Sequence, residues 1–359
     1  MRIFWISSIF MLAAVAALNY SVDVAGEWHA SARGIPLPPT GQTTPVPENF
    51  NERMLRAEMV KAAGQVDIVV LGSSRAYGFS SAHFDPALRM LNLSMSRSVF
   101  RDFFGLWRTL VDSRKKPSTL ILLVDPWMFN APGNAENFRW KEFALRVAQF
   151  EADYFQAGSM PPWLPSSTFL QRLRWKADSW AGLLNWELFL QSGKAVWNKD
   201  SSGDASPSQR RLRADGSYSL PPPAVFDFAV ERKRIDNDPT LMKVWELDED
   251  SIHQLAALVE TVEKSGVKPV VIVGPFHPKL YGALKENSTG VLSGTEKALN
   301  GLSALLPNFQ AVCNGLNPEK SGCGDEDFSD LLHFSPECVT RLLRFCGVTI
   351  EGLNGILRR

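Results

Sequence analysis

A chain of 359 residues, 45% of them apolar, can bury a full core and exceeds the ~250–300 residues at which single cores stop growing. Charged residues make up 21%, and 38 Lys and Arg balance 38 Asp and Glu, so no general field favours nucleic acid or an anionic surface. Nucleic acid is therefore set aside as a partner class.

At the N-terminus Arg2 precedes an uncharged run from Ile3 to Leu18, closed by polar Asn19. The pattern reads as an uncleaved signal anchor or a signal peptide, leaving the rest of the chain in the periplasm or cell envelope. The run's sixteen residues fall just short of the ~17–25 of a spanning helix, although Asn19 to Val24 extends it toward the membrane interface. Ala14-Val15-Ala16 has the small-x-small form of a cleavage site, so cleavage stays open. Residues 1–22 form this segment. The Pro-, Gly- and Thr-rich residues 23–49 read as a spacer that lifts a catalytic domain off the membrane.

Residues 50–63 have helical spacing, and Val66 to Leu71 is a short β-branched run of the kind found in buried parallel strands. Leu91 to Met95 and Leu120 to Val124 repeat that form, with the amphipathic Phe100 to Leu110 between them. This βαβ alternation assigns residues 50–130 to the first half of an α/β domain with a central parallel sheet. The pattern breaks over residues 131–245, a predicted helical insertion holding seven of the eleven tryptophans. Those tryptophans are either core or the faces of a lid on which sugar rings stack.

Residues 246–359 resume the sheet pattern. Ile252, Leu255, Ala256, Val259 and Val262 share a helical face, Gly266 stops that helix, and Val270 to Val273 is a strand. A helix near 296–306 and a strand near Phe309 to Val312 follow. Ser335, Pro336 and Glu337 read as the cap and first turn of a final helix ending at Gly347.

The four cysteines, Cys313, Cys323, Cys338 and Cys346, lie within the last fifty residues. Eight residues of helix would separate Cys338 from Cys346 by ~12 Å, beyond the ~7 Å limit between bridged Cα atoms. Three arrangements remain: Cys313 bonded to Cys323 alone, both of these bonded into the final helix, or four free thiols.

Gly72-Ser73-Ser74-Arg75 places two hydroxyls at the carboxyl end of the first parallel strand, where open α/β sheets build their sites. Such a serine needs a base to take its proton and a third group to orient that base. Of five histidines, His29 falls in the spacer and His253 on an amphipathic helix, while His83 follows the serine closely in sequence. His277, in Gly274-Pro275-Phe276-His277-Pro278, ends a strand and is a cleft candidate with Arg75 and Asp125. His333 has an aspartate three residues earlier, in Asp330-Leu331-Leu332-His333 just before a capped helix, whereas the same spacing in Asp250-Ser251-Ile252-His253 falls on the amphipathic helix. Asp125 is the rival carboxylate, and its expected place is the cleft wall or a loop anchor.

Strand-Gly-x-Ser near the start with Asp-x-x-His near the end resembles the SGNH/GDSL hydrolase superfamily over residues 66–346, insertion excepted. The resemblance implies a flavodoxin-like three-layer sandwich in which Ser74 attacks an ester, His333 is the base and Asp330 orients it. The family's second block supplies a glycine N–H and its third an asparagine amide to the oxyanion hole. Here Asn92-Leu93-Ser94-Met95-Ser96 lacks a glycine, and Asn130 is the nearest amide after Val124-Asp125-Pro126-Trp127. That leaves Ser94, Asn92 and Asn130 as oxyanion candidates.

The Gly-Ser-Ser form, the N-terminal anchor and the Asn-Tyr-x-Val-Asp stretch at 19–23 look like the envelope branch. That branch contains alginate O-acetylation proteins and the D-alanyl transfer protein of teichoic acid synthesis. It implies a glycan or acyl-ester substrate, a membrane acyltransferase partner, and neither cofactor nor metal. The alternative is a non-catalytic scaffold or glycan-binding protein of the same kind of complex. A phosphate-binding turn at Gly72 to Arg75 ranks last, because no lysine or second glycine follows at useful spacing.

Overall fold

The computed structural model describes residues 2–22, 37–46, 51–135, 139–155, 210–219, 226–237, 245–286 and 290–348. His29, most of the expected spacer and five of the tryptophans of residues 131–245 lie outside them.

Helix α1 (Arg2–Val22) takes up the apolar N-terminal run, and a short strand β1 (Thr43–Pro45) follows. Among the described residues no helix is long and apolar enough to cross a membrane, so the spanning-anchor expectation finds no support in the fold.

The α/β body begins at α2 (Glu52–Ala62), whose N-cap Asn51 accepts a hydrogen bond from Met54 N–H. Strand β2 (Ile68–Leu71), β3 (Met90–Asn92), α3 (Phe100–Asp112) and β4 (Thr119–Val124) then alternate as the sequence predicts. Helices α4 (Ala131–Ala135) and α5 (Ala144–Phe155) open the region read as an insertion. It also contributes a hairpin of β5 (Arg211–Arg213) and β6 (Tyr218–Ser219), followed by α6 (Phe228–Asn237).

The second half supplies α7 (Glu249–Lys264), β7 (Lys268–Val273), α8 (Pro278–Glu286) and α9 (Val291–Leu305). Strand β8 (Val312–Asn314), α10 (Pro318–Ser321) and α11 (Pro336–Phe345) complete it. Ser335 caps α11 by accepting from Cys338 N–H, and Gly347 turns the chain beyond it at φ 68°.

Five strands form one parallel sheet in the order β3-β2-β4-β7-β8. That is the flavodoxin-like order, with the topological switch between β2 and β4. Strands β2 and β4 are buried along their whole length, which is why they read as continuous apolar runs. The pleat divides them between two cores. Val69, Leu71, Leu120, Leu122, Val271 and Val273 face apolar side chains of α2, α3, α7 and α9. Ile68, Val70, Ile121, Leu123, Val270 and Ile272 face α11 through Cys338, Val339, Leu342 and Leu343. Three layers result.

A second, antiparallel sheet joins β1 to the β5–β6 hairpin, so residues assigned to the spacer and to the helical insertion meet here as paired strands. Too few residues lie in each strand for an alternating pattern to announce them. The hairpin docks on the edge of the main sheet, where Asn92 N–H donates to Asp215 O (2.7 Å) and Tyr218 N–H to Tyr77 O (3.0 Å). Gly216, at φ 81°, fits because any Cβ there would meet Asn92 O at 2.2 Å.

Both disulfides enter α11 or its C-cap. Cys313 pairs with Cys346 and Cys323 with Cys338, at Cα separations of 5.4 and 5.3 Å. Of the arrangements left open by geometry, the fold takes the one with two cross-links.

Candidate active site

Strand β2 delivers its chain to the carboxyl edge of the sheet, and Gly72 lets it turn there. A Cβ at Gly72 would lie 2.6 Å from Ala76 Cβ and 3.1 Å from Leu123 Cβ, so no larger residue fits this bend. Ser73 is fully buried, and its hydroxyl caps the following 3₁₀ turn by accepting from Arg75 N–H (3.1 Å). Ser74 is the first residue of that turn and is half-buried. Met95 N–H (3.0 Å) and Ser98 Oγ (2.7 Å) both donate to Gly72 O, which fixes the Ser74 turn against the loop after β3.

The partner turn comes from the other end of the chain. Asp330 Oδ1 accepts from Leu332 N–H (2.7 Å) and His333 N–H (2.8 Å), a turn in which the aspartate caps its own loop. Its second oxygen accepts from His333 Nδ1 at 2.7 Å, and His333 Nε2 lies 2.8 Å from Ser74 Oγ. A carboxylate only accepts, so the ring proton belongs on Nδ1 and the Nε2 lone pair faces the serine O–H.

Burial alone would raise the Asp330 pKa. The hydrogen bond and charge of His333, with the Leu332 and His333 N–H groups, outweigh it and hold the carboxyl well below its usual range. Ser74, His333 and Asp330 thus form one hydrogen-bonded chain of hydroxyl, imidazole and carboxylate, the arrangement of a Ser-His-Asp triad.

The side chains of two oxyanion candidates, Asn92 and Ser94, are committed elsewhere, and this corrects the sequence expectation for those two. Asn92 Nδ2 donates to Ala76 O (2.7 Å) and Phe79 O (2.8 Å), while its Oδ1 accepts from Ser94 N–H (2.8 Å) and Ser94 Oγ (2.5 Å). The two residues therefore brace the loop after the nucleophile. Asn130 Oδ1 accepts from Glu246 N–H (3.0 Å), tying the chain before the insertion to the chain after it. Ser74 opens its 3₁₀ turn, so its N–H has no acceptor within that turn.

The cleft candidates frame the site. Asp125, fully buried, accepts from Arg75 Nη1 at 2.7 Å and anchors the loop after β4. His277 N–H donates to Leu331 O (3.2 Å), and its ring lies between Phe226 and Phe328, with Nδ1 accepting from Lys279 N–H (3.1 Å). Burial lowers its pKa, and its backbone contact props the loop of Asp330 and His333. His83 accepts from Ser80 N–H at Nδ1 (3.0 Å) and donates from Nε2 to Pro336 O (3.0 Å), pinning the start of α11. His253 is exposed on α7.

Sequence reading did not anticipate the carboxylate under the Ser74 turn. Glu52 of α2 accepts from Tyr77 Oη (2.6 Å), Tyr218 Oη (3.2 Å) and Ser96 N–H (2.7 Å), which joins the hairpin, the serine turn and the second loop. The only signal was an acidic residue in the first turn of a helix, which is commonplace. No protein-family model and no curated protein matches this chain.

Proposed function

We propose that the protein is an SGNH-type serine esterase or O-acyltransferase of the cell envelope, acting on acetyl-like esters of a surface or secreted polysaccharide. The observation that carries this reading is the 2.8 Å approach of Ser74 Oγ to His333 Nε2, with Asp330 behind the ring. As Ser74 Oγ attacks the ester carbonyl, His333 Nε2 takes its proton and Asp330 stabilises the imidazolium. Collapse of the tetrahedral intermediate expels the alcohol, protonated by His333, and leaves an acyl-Ser74. Water or a sugar hydroxyl, activated by the same imidazole, then releases the acyl group.

The parallel sheet with its site at the switch point and the two disulfides support the fold and an oxidising compartment. The glycan substrate, the membrane acyltransferase partner and the anchor rest on the resemblance in the N-terminal and serine motifs. In the full-length protein a fluorophosphonate probe is expected to form an adduct that maps to Ser74. A reporter active only outside the cytoplasm, fused after Arg359, is expected to be active. Absence of the adduct in folded protein overturns the esterase reading.

A scaffold without turnover is the second reading, favoured by the commitment of the Asn92 and Ser94 side chains to each other. It predicts glycan binding with no Ser74 adduct.

A further inference from the structure

Arg75, next to the nucleophile, carries a guanidinium that is fully buried, and a charge in that position is tolerable only when paired and fully hydrogen-bonded. Its donors reach three segments at the carboxyl edge of the sheet. Nη1 donates to Asp125 Oδ1 (2.7 Å) beyond β4, Nη2 to Pro275 O beyond β7, and Nε to Leu332 O (3.0 Å) in the catalytic loop. The rings of Phe276, Phe334 and Trp127 surround it, with centroids 4.8, 5.5 and 5.6 Å from the guanidinium carbon.

Leu332 O belongs to the peptide group whose N–H is that of His333. Arg75 Nε holds the oxygen of this group, and Asp330 Oδ1 accepts from its N–H at 2.8 Å. The backbone from which the imidazole springs is therefore clamped on both edges, and one clamp is the residue covalently next to Ser74. Only a planar fork with separated donors can serve three acceptors in this way, since a lysine offers one point charge.

Building on the esterase reading, we infer that Arg75 is a positioning residue that sets the His333 base in register with Ser74, and that Asp125 holds that guanidinium in place. It touches no reacting atom. Its effect is on the Ser74–His333 distance, and a misplacement of ~1 Å costs about 10²-fold in rate.

The test compares full-length wild type with Arg75→Lys, Arg75→Met and Asp125→Asn, by rate of fluorophosphonate labelling, nitrophenyl acetate turnover and thermal melting. Arg75→Met leaves Asp125 buried without its cation and is expected to melt well below wild type. Arg75→Lys is expected to recover most of that loss by pairing with Asp125, yet to label Ser74 about 10²-fold more slowly, with KM within about twofold. This split separates positioning from stability, because a merely structural arginine would be rescued in both by lysine. Asp125→Asn keeps an acceptor for Arg75 and is expected to lose less than about tenfold.

Labelling of folded Arg75→Lys within about threefold of wild type overturns the inference. Should Arg75→Lys not fold, Asp125→Asn decides, and a loss as deep as that of Ser74→Ala overturns it. A wild type that never labels defeats the esterase reading itself, an outcome distinct from either.

Discussion

Removing the Ser74 hydroxyl deletes the attacking atom of the proposed reaction while taking one half-buried oxygen from a turn, so activity and stability should separate. Ser74→Ala is expected to abolish esterase turnover with little change in melting temperature. His333→Ala should cost almost as much, on the order of 10⁵–10⁶ in kcat, since nucleophile and base act as a unit. Asp330→Asn should retain more, with a loss nearer ~10⁴, because it orients the ring and does not react. Ser73→Ala reads out differently: its hydroxyl caps Arg75 N–H, so the expected cost is about 1 kcal/mol of stability with most activity kept. Kinetics on nitrophenyl acetate alongside melts distinguish these patterns. Much of this site was legible in the sequence, because Gly-x-Ser after a strand and Asp-x-x-His before a capped helix are local motifs. The donors around it were not. Asn92 and Ser94 sit where a donor was sought, but their side chains satisfy each other and two carbonyls, and local spacing cannot report such closure.

Helices and strands of the main sheet followed from apolar period and capping, and α3, β4, α7 and α11 fall within a few residues of their expected bounds. The small sheet escaped because β1, β5 and β6 have only two or three residues each, and their pairing spans the chain from Thr43 to Arg213. One helix contact carries a pH-dependent cost. Burial raises the Glu151 pKa on α5 to about 7, against the opposing pull of Arg101 on α3, whose Nε lies 3.6 Å away, longer than a hydrogen bond. Because the folded pKa lies above the unfolded value, the folded state binds the extra proton, and stability falls as pH rises from about 4.5 to about 7. Glu151→Gln is expected to remove that fall, raising stability at pH 8 by on the order of 3 kcal/mol and leaving it unchanged near pH 4. Equal gains at both pH values would place the effect in packing.

Across the whole molecule, the site joins segments 259 residues apart, and its later half is enclosed by the Cys323–Cys338 bridge, inside which Asp330 and His333 both lie. Closing a loop of that length contributes about 3 kcal/mol by restricting the unfolded chain. Cys323→Ser with Cys338→Ser is expected to lower the melting temperature and to slow Ser74 labelling below the melt. The Cys313–Cys346 bridge also encloses Asp330 and His333, but at a sequence separation of 33 against 15, so the equivalent change there should lower stability with labelling largely kept. Fluorophosphonate labelling at a temperature where all variants are folded makes the comparison. The pairing was legible only as a choice among arrangements, since spacing forbids one bond and three-dimensional packing selects the rest. The enclosed loop also sets a sequence in time. A ribosome delivers Ser74 early and His333 near the end, and the loop that presents His333 is cross-linked only once both cysteines meet an oxidant. A chain still reduced holds Asp330 and His333 in a loop that the Cys323–Cys338 bridge has not yet closed. On the esterase reading of an exported chain, ester cleavage reaches its full rate only once that bridge has closed.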